Sequence, residues 1–432
     1  MTRAARGASR SKRSDATSAT PGLAARLGAV ASVAAVLDRG RIPDAAAQAG
    51  EPKERAEARA LADLTFRHLA EIDAVLADRI PRMPRPPVSH ILRVMAAELI
   101  YRPGGAHAAV DLAVRQTKGA GATKLAGLVN AVGRKIATEP TPPTLAPLKR
   151  LPGWMADRLV ADWGRAKAAA ITEAQRPVPP TDLTLRDPSA AEEFSALLGA
   201  ETLPTGGLRL AERPQISALL GFEDGAWWVQ DAAASLPATL VPEPETKRVL
   251  DLCAAPGGKT LQLAAAGAFV TALDISAERM ARLEENLART RLTAQTVVSD
   301  ALDWRPNAPF DAILLDAPCS ATGTMRRHPD LPHRSKPAAL KDLLALQRRL
   351  LERAWDWLRP GGVLVYATCS LLRAEGEDQA AAFRARSGAA PLATPTTGPF
   401  ATAEGDIRTR PDMWAERGGL DGFFAARFLK PA

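Results

Sequence analysis

The spacing of apolar positions changes character near the middle of the chain. From residue 21 to about 138, apolar side chains recur every three or four positions, in LAARLGAVASVAAVL, in the run 56–76 and in 91–100. That period lines one face of a helix, so the stretch predicts an all-helical domain. Arg39-Gly40 and Pro43 stop its first helix, PRMPRPP (81–87) joins two others, and residues 111–115 and 125–136 continue the bundle. The helical period breaks at TEPTPPTLAP (138–147), resumes over 154–174 as a short helical piece, and stops again at RPVPPTD (176–182). Residues 181–235 are mixed, with strand-like LTLR and WWVQ around a helix near 190–198.

From 247 the pattern becomes regular. RVLDLCA, FVTALDIS, QTVVSD, FDAILLDAP and GGVLVYATCS are short, apolar strand-like runs. Between them lie TLQLAAA, AERMARLEENLART and ALKDLLALQRRLLERAWDWL, all with helical spacing. Apolar strands alternating with helices predict a mostly parallel, doubly wound, Rossmann-like α/β sheet covered on both faces. GFFAARFLK reads as an antiparallel edge strand. The expected organisation is a basic tail (1–20), a helical domain (21–140), a linker with a short helix (141–180), a small α+β subdomain (181–235) and the α/β domain (236–432).

Composition adds exclusions. The 432 residues are 46% hydrophobic and 24% charged, the usual mix of a globular protein, which argues against a long disordered chain. No apolar run reaches the roughly 18 residues of a membrane-spanning helix, and the basic start leads into no apolar segment, so no secretory signal is expected. The net charge is +8, and the first 20 residues (Arg3, Arg6, Arg10, Lys12 and Arg13 against Asp15) carry half of it. Such a tail is either a solvated end or an arm that neutralises RNA phosphates. Three cysteines, Cys253, Cys319 and Cys369, are too few and too odd for a disulfide framework and suit a reducing cytosol. No spacing suggests a metal site.

The candidate chemistry lies where the α/β strands end. After the first strand comes Asp251-Leu252-Cys253-Ala254-Ala255-Pro256-Gly257-Gly258-Lys259-Thr260. Glycines there let a ligand approach the backbone, and the helix that follows offers free N–H groups. Asp274, 23 residues after Asp251, ends the next strand and suits a ribose diol; Asp300 follows the third and is placed to meet an adenine edge. This describes a nucleoside pocket. The loop fits neither the dinucleotide nor the P-loop glycine pattern. Asp316 and Cys319 follow the fourth strand, and Cys369 follows the fifth. For Cys253, packing beside the glycines is a sufficient role.

A thiolate beside a nucleoside cofactor suggests covalent catalysis on a pyrimidine. Addition of sulfur to carbon 6 makes carbon 5 nucleophilic toward a methyl sulfonium. A carboxylic acid near ring nitrogen 3 would stabilise the adduct, with Asp316 the candidate; that role favours cytosine, because uridine already carries a proton there. A second cysteine can help release the product. On spacing alone either cysteine could be the nucleophile.

DLCAAPGGKT, LDIS, VVSDA, LLDAPCSATGTMRRHPD, YATCSLL and GGLDGFFAARF, in this order, resemble the bacterial RNA cytosine-C5 methyltransferases of the Sun/RsmB type. The resemblance covers roughly 176–432, and its paired PCS and TCS motifs separate RNA enzymes from the DNA cytosine enzymes. It implies a class I methyltransferase fold and S-adenosyl-L-methionine as cofactor. Cys253, Ala254, Ala255, Pro256, Gly257, Gly258 and Lys259, with Asp274, Asp300 and Asp316, correspond to its contacts. Cys369 corresponds to the nucleophile and Cys319 to the residue that helps release product. Arg326-Arg327-His328-Pro329-Asp330 follows the first cysteine and suggests an RNA contact, and WWVQDAAASL (227–236) leads into the catalytic domain through Gln230-Asp231. RALADLTFRHL, ILRVMAAELIY, AHAAVDLAV and GLVNAVGRK resemble the NusB family, which implies a helical RNA-binding domain. The expected function is methylation of carbon 5 of a cytosine in RNA, with 16S rRNA the leading substrate, by a cytoplasmic monomer. The alternatives are the same chemistry on tRNA or another RNA, or an RNA-binding, antitermination-like module with an inactive methyltransferase domain.

Overall fold

Helical spacing in the first third of the chain becomes six helices in the computed structural model, which describes residues 21–42, 51–102, 104–392 and 399–432. The basic tail 1–20 and the helix stop assigned to Pro43 lie outside the described residues. The chain divides into two compact units, Met1–Pro152 and Gly153–Ala432.

The first unit contains α1 (Leu23–Arg39), α2 (Pro52–Arg67), α3 (Leu69–Ala77), α4 (Val88–Tyr101), α5 (Ala106–Gly119) and α6 (Ala126–Thr138). The run 56–76 is two helices rather than one, parted at His68, whose backbone (φ −117°, ψ 20°) leaves the helical region. Pro52 at the start of α2 gives up no hydrogen bond, and the Glu51 and Glu54 side chains cap each other's backbone. The apolar stripes meet in one core, with Val33, Leu61, Ile72, Leu76, Leu92, Ala96, Val129 and Ile136 essentially inaccessible.

The second unit opens with α7 (Gly153–Trp163) and α8 (Arg165–Ala174), separated at Gly164 where one helical piece was expected. A four-stranded antiparallel sheet follows, built from β1 (Thr181–Leu185), β2 (Ala200–Thr202), β3 (Leu208–Leu210) and β4 (Trp227–Val229) in the order β2-β3-β1-β4, with α9 (Ala191–Leu198) beside it. The helix α10 (Ala232–Thr239) leads into the large sheet. Its elements are β5 (Arg248–Leu252), α11 (Gly258–Ala265), β6 (Phe269–Asp274), α12 (Ala277–Thr290), β7 (Gln295–Val298), β8 (Phe310–Asp316), α13 (Leu331–Arg334), α14 (Pro337–Trp357), β9 (Leu358–Thr368), α15 (Glu377–Ser387), β10 (Ala390–Pro391), β11 (Ile407–Arg408) and β12 (Phe424–Leu429).

The large sheet runs β10-β12-β9-β8-β5-β6-β7, parallel from β9 to β7. Alternate residues of the central strands serve opposite faces. Leu250, Leu252, Ile313, Leu315, Leu364 and Tyr366 pack with Leu350, Leu351 and Trp357 of α14. Val249, Ala312, Leu314, Val365 and Ala367 pack with Leu236 of α10 and Leu263 of α11. At roughly 1.5–3 kcal/mol for each large apolar side chain buried, this double cover holds the strand ends in place. The chain leaves β5 toward β6 on one side and returns through β8 on the other. The crevice above their carboxyl ends is therefore the topological switch point, where open α/β sheets bind ligands.

The last strand corrects an expectation. β12 is antiparallel, but it is not an edge: it pairs with β9 on one side and with β10 and β11 besides. Its residues 424–428 are all buried, which a sheet edge would not achieve.

Candidate active site

The carboxyl end of β5 turns sharply into α11. Gly257 sits at φ 108°, and a Cβ there would come within 2.6 Å of Leu283 Cγ on α12. The glycine is thus demanded by the loop's own packing, a reason separate from the ligand approach expected of it. Ala254 and Ala255 are buried and Pro256 is exposed. Gly258 starts α11 against the Gln230 side chain, which is held by Trp228 Nε1 at 2.8 Å and by Gln262 at 2.7 Å. Asp274 is buried: its Oδ2 accepts the Ala255 N–H at 3.0 Å and its Oδ1 the Ser276 N–H at 2.9 Å. Asp300 accepts the Leu302 N–H at 2.8 Å. Beside these carboxylates Ile275 and Val298 are 69% and 51% exposed, an apolar shelf at the ends of β6 and β7.

Asp251 lies beneath the loop, fully buried. Its Oδ2 accepts the Thr260 hydroxyl, while Oδ1 is a buried acceptor without a hydrogen-bond partner. Burial pushes this acid up to about 7, helped by the charges of Asp316 and Asp274 and opposed by Thr260 and Lys259. Sequence reasoning used Asp251 only as a spacing marker. Its apolar strand context was the available sign of burial.

Lys259, in the first turn of α11, donates to Asp316 Oδ2 at 2.7 Å. Burial pulls the ammonium down, but Asp316, Asp251 and Cys369 outweigh it and Lys259 is held above its ordinary value. The cation also lies 5.1 Å from the Phe423 ring centre.

Adjacent parallel strands deliver the two cysteines. Asp316 of β8 pairs in register with Ala367 of β9, and the loops beyond converge until Cys319 Sγ and Cys369 Sγ are 3.5 Å apart. The Cys319 thiol is pushed well up, first by its hydrogen bond to Cys369, then by burial and by the Cys369 and Glu375 charges. Either sulfur can be the donor of this S–H···S contact. Cys253 is also pushed up, by burial and then by Asp274, Asp316 and Asp251, and it packs into the core as a thiol. The structure thus gathers Lys259, Asp316, Cys319 and Cys369 at one point, with Asp274 and Asp300 along the neighbouring strand ends.

Within Arg326–Asp330, His328 is exposed while the two arginines face buried carboxylates. Arg326 is 1% exposed and reaches Asp421 at 3.3 Å. Arg327 pairs with Asp421 at 2.9 Å and with Asp231, which also caps α10. Nearby, Asp182 of β1 holds Arg209 of β3 by two hydrogen bonds of 2.7 and 2.8 Å. These charges turn inward and join the small sheet, α10, the loop after Cys319 and the segment before β12. In the same region Gly422 N donates to Gly323 O at 2.9 Å, and a Cβ on Gly323 would stand 1.9 Å from Gly422 O.

Among the described residues, no helix is long and apolar enough to cross a membrane and no cluster of three or more His, Cys, Asp or Glu could hold a metal ion.

Residues 237–429 match the family model of the 16S rRNA methyltransferase RsmB/F, and residues 24–138 match that of the NusB family. Ribosomal RNA small subunit methyltransferase B of Xanthomonas campestris pv. campestris is 37% identical, over 96% of this chain and 99% of its own. Its namesake from Xylella fastidiosa (strain Temecula1) is 35% identical, over 95% and 98%. Among solved structures, that of PH0851 shares the fold, with a TM-score of 0.74 over 95% of this chain and 99% of its own at 23% identity. A methyltransferase homolog from Pyrococcus horikoshii has a TM-score of 0.55 over 65% and 95% at 27% identity.

Proposed function

The chain belongs to the family of ribosomal RNA small subunit methyltransferase B, and on that premise we propose that it methylates carbon 5 of a cytosine in 16S rRNA, as a cytoplasmic monomer. One observation carries the reading: two thiols 3.5 Å apart stand at neighbouring strand ends, beside a lysine–aspartate pair.

The strand-end groups fit S-adenosyl-L-methionine. Asp251 offers a buried, unpaired oxygen, Ile275 and Val298 offer an apolar shelf for a flat base, and each Asp274 oxygen keeps a second lone pair beyond its amide bond for a ribose hydroxyl. Asp300 stands at the next strand end for the adenine edge. When bound, this cofactor supplies an electrophilic methyl group.

The chain's own residues handle the base. Cys369 adds through its sulfur to carbon 6, and the carbon 5–carbon 6 π pair moves into the ring toward nitrogen 3. Lys259, kept protonated, supplies a proton there through Asp316, which gives the acid role assigned to Asp316 a proton source. After transfer the nitrogen 3 proton returns through Asp316 to Lys259, the carbon 5 proton leaves to solvent base, its electron pair re-forms the carbon 5–carbon 6 double bond and the Cys369 sulfur departs as thiolate. Cys319 Sγ, 3.5 Å away, turns its S–H to the departing thiolate. The target base must leave any stack to reach the thiols, so a flipped nucleotide or single-stranded loop is the form bound. The helical domain contributes phosphate contacts.

Bisulfite sequencing of total RNA from a strain lacking this gene, beside its parent, tests the reading. Loss of one protected cytosine in 16S rRNA, restored by the intact gene and not by Cys369→Ala, is expected. Loss in tRNA alone would overturn the substrate, and no loss at all would overturn the activity.

A further inference from the structure

The loops that carry Cys319 and Cys369 meet on a group outside the chemistry described above. Glu375 is fully buried in the turn after β9. Its Oε1 accepts the Ser320 backbone N–H at 2.9 Å and Gln347 Nε2 at 3.0 Å. Its Oε2 accepts the hydroxyls of Ser320 and Ser370, the latter at 2.6 Å. A carboxylate has about four acceptor sites, and all four are filled. Ser320 follows Cys319 and Ser370 follows Cys369, so one side chain grips the residue after each thiol.

The grip extends to both flanks of each cysteine. Gln347 Nε2 also donates to the Pro318 carbonyl, at 3.0 Å. The Glu375 carbonyl accepts from the Tyr366 hydroxyl at 2.6 Å and from Thr368 Oγ1 at 3.5 Å. Thr322 Oγ1 lies 3.2 Å from Ser370 Oγ and accepts the Leu371 N–H at 2.9 Å. We infer that Glu375 is a positioning residue, whose single buried carboxylate fixes the spacing of the two sulfurs by tying Ser320 to Ser370.

This assignment rests on the proposed function for its purpose, but its geometry does not depend on RNA. The Glu375 charge, on the Cys319 side, disfavours a second anion there. The other titratable groups facing the pair are Lys259 from α11, Asp316 from β8 and Tyr366 from β9. Replacing Glu375 by Gln would turn one oxygen into an N–H2 group, so two of the four donors would face a donor.

The test is site-resolved alkylation of the full chain with iodoacetamide across pH 6 to 10, read by peptide mass spectrometry. In the unmodified chain Cys369 reacts at least about 10-fold faster than Cys319 near neutral pH, because burial and the Glu375 charge suppress the Cys319 thiolate. In Glu375→Gln that ratio falls severalfold and the Cys319 profile moves to lower pH, with S-adenosyl-L-methionine affinity unchanged within about twofold. Ser370→Ala removes the Cys369-side anchor together with its contacts to Ser320 Oγ at 3.1 Å and Thr322 Oγ1 at 3.2 Å, so the Cys369 rate and the ratio change while the Glu375 charge still faces Cys319. This variant decides the matter if Glu375→Gln does not fold. Unchanged profiles and ratio in the folded variants overturn the assignment, as does a change in reactivity matched by an equal loss of cofactor affinity. Failure of the unmodified chain to methylate RNA would overturn the proposed function and leave this readout intact.

Discussion

Asp251→Asn should make the protein more stable at neutral pH while leaving it nearly unchanged in acid. The Asp251 carboxyl is fully buried and pushed up to about 7, from an ordinary 3.8. In the folded chain it keeps its proton up to about pH 7, but in the unfolded chain only to about pH 4. Its stabilising contribution is full below pH 4 and is lost as pH rises through 7. At about 1.4 kcal/mol per tenfold change, roughly three pH units amount to about 4 kcal/mol. Asn mimics the protonated acid in shape and can still accept from Thr260, so it removes the ionisation and little else. All eight tryptophans, from Trp154 to Trp414, lie in the second unit, so their fluorescence follows the unfolding of that unit alone. Urea titrations of parent and variant between pH 4.5 and 8.5 should show a stability gap that opens in the variant's favour up to about pH 7 and is flat above it. A gap independent of pH, or one that closes as pH rises, would refute the claim that an uncompensated acid lies beneath the loop.

Cys369→Ala should lower methyl transfer by several orders of magnitude with cofactor affinity intact; residual activity within tenfold of the parent would remove it as nucleophile. Cys319→Ala should accumulate a ribonuclease-sensitive protein–RNA adduct on denaturing gels, and an adduct from Cys369→Ala instead would exchange the two roles. Asp274→Ala should weaken S-adenosyl-L-methionine binding at least about tenfold by calorimetry, through lost hydrogen bonds worth about 1.4 kcal/mol or more. Arg327→Met should cost about 3–5 kcal/mol in urea titrations, because it leaves Asp231 and Asp421 buried with one fewer cation; a loss under about 1 kcal/mol would contradict the pairing.

The strand ends were legible because each is a short apolar run closed by a polar residue, so Asp274, Asp316 and the two cysteines fell on one edge without further information. The NusB-like stretch was legible for a similar reason, since its apolar period persists over several turns. Less visible were β2 and β3, three residues each, which are shorter than the alternation needed to recognise a strand. The interior place of β12 depends on the two-residue pairings of β10 and β11, which leave no periodic trace. Arg326 and Arg327 read as a basic surface because charge along a chain does not report which carboxylates the fold will bring to it. Glu375 escaped for the same reason: its partners come from three separate segments, the loop after Cys319, α14 and residues 366–370.

The contact between Gly323 and Gly422 bears on how related chains diverge. Gly323 is closed to every side chain by the Gly422 backbone, while a Cβ on Gly422 would meet the Leu371 side chain at 2.5 Å and Gly323 Cα at 3.0 Å, so Gly323 cannot drift and then be rescued by a change of side chain at its neighbour. Glycine at both places in a distant relative would therefore record this crossing of two backbones and carry no information about the relative's chemistry. An alignment used to infer shared activity should be weighed on Cys319, Cys369 and Lys259, with the two glycines counted as a signature of the fold.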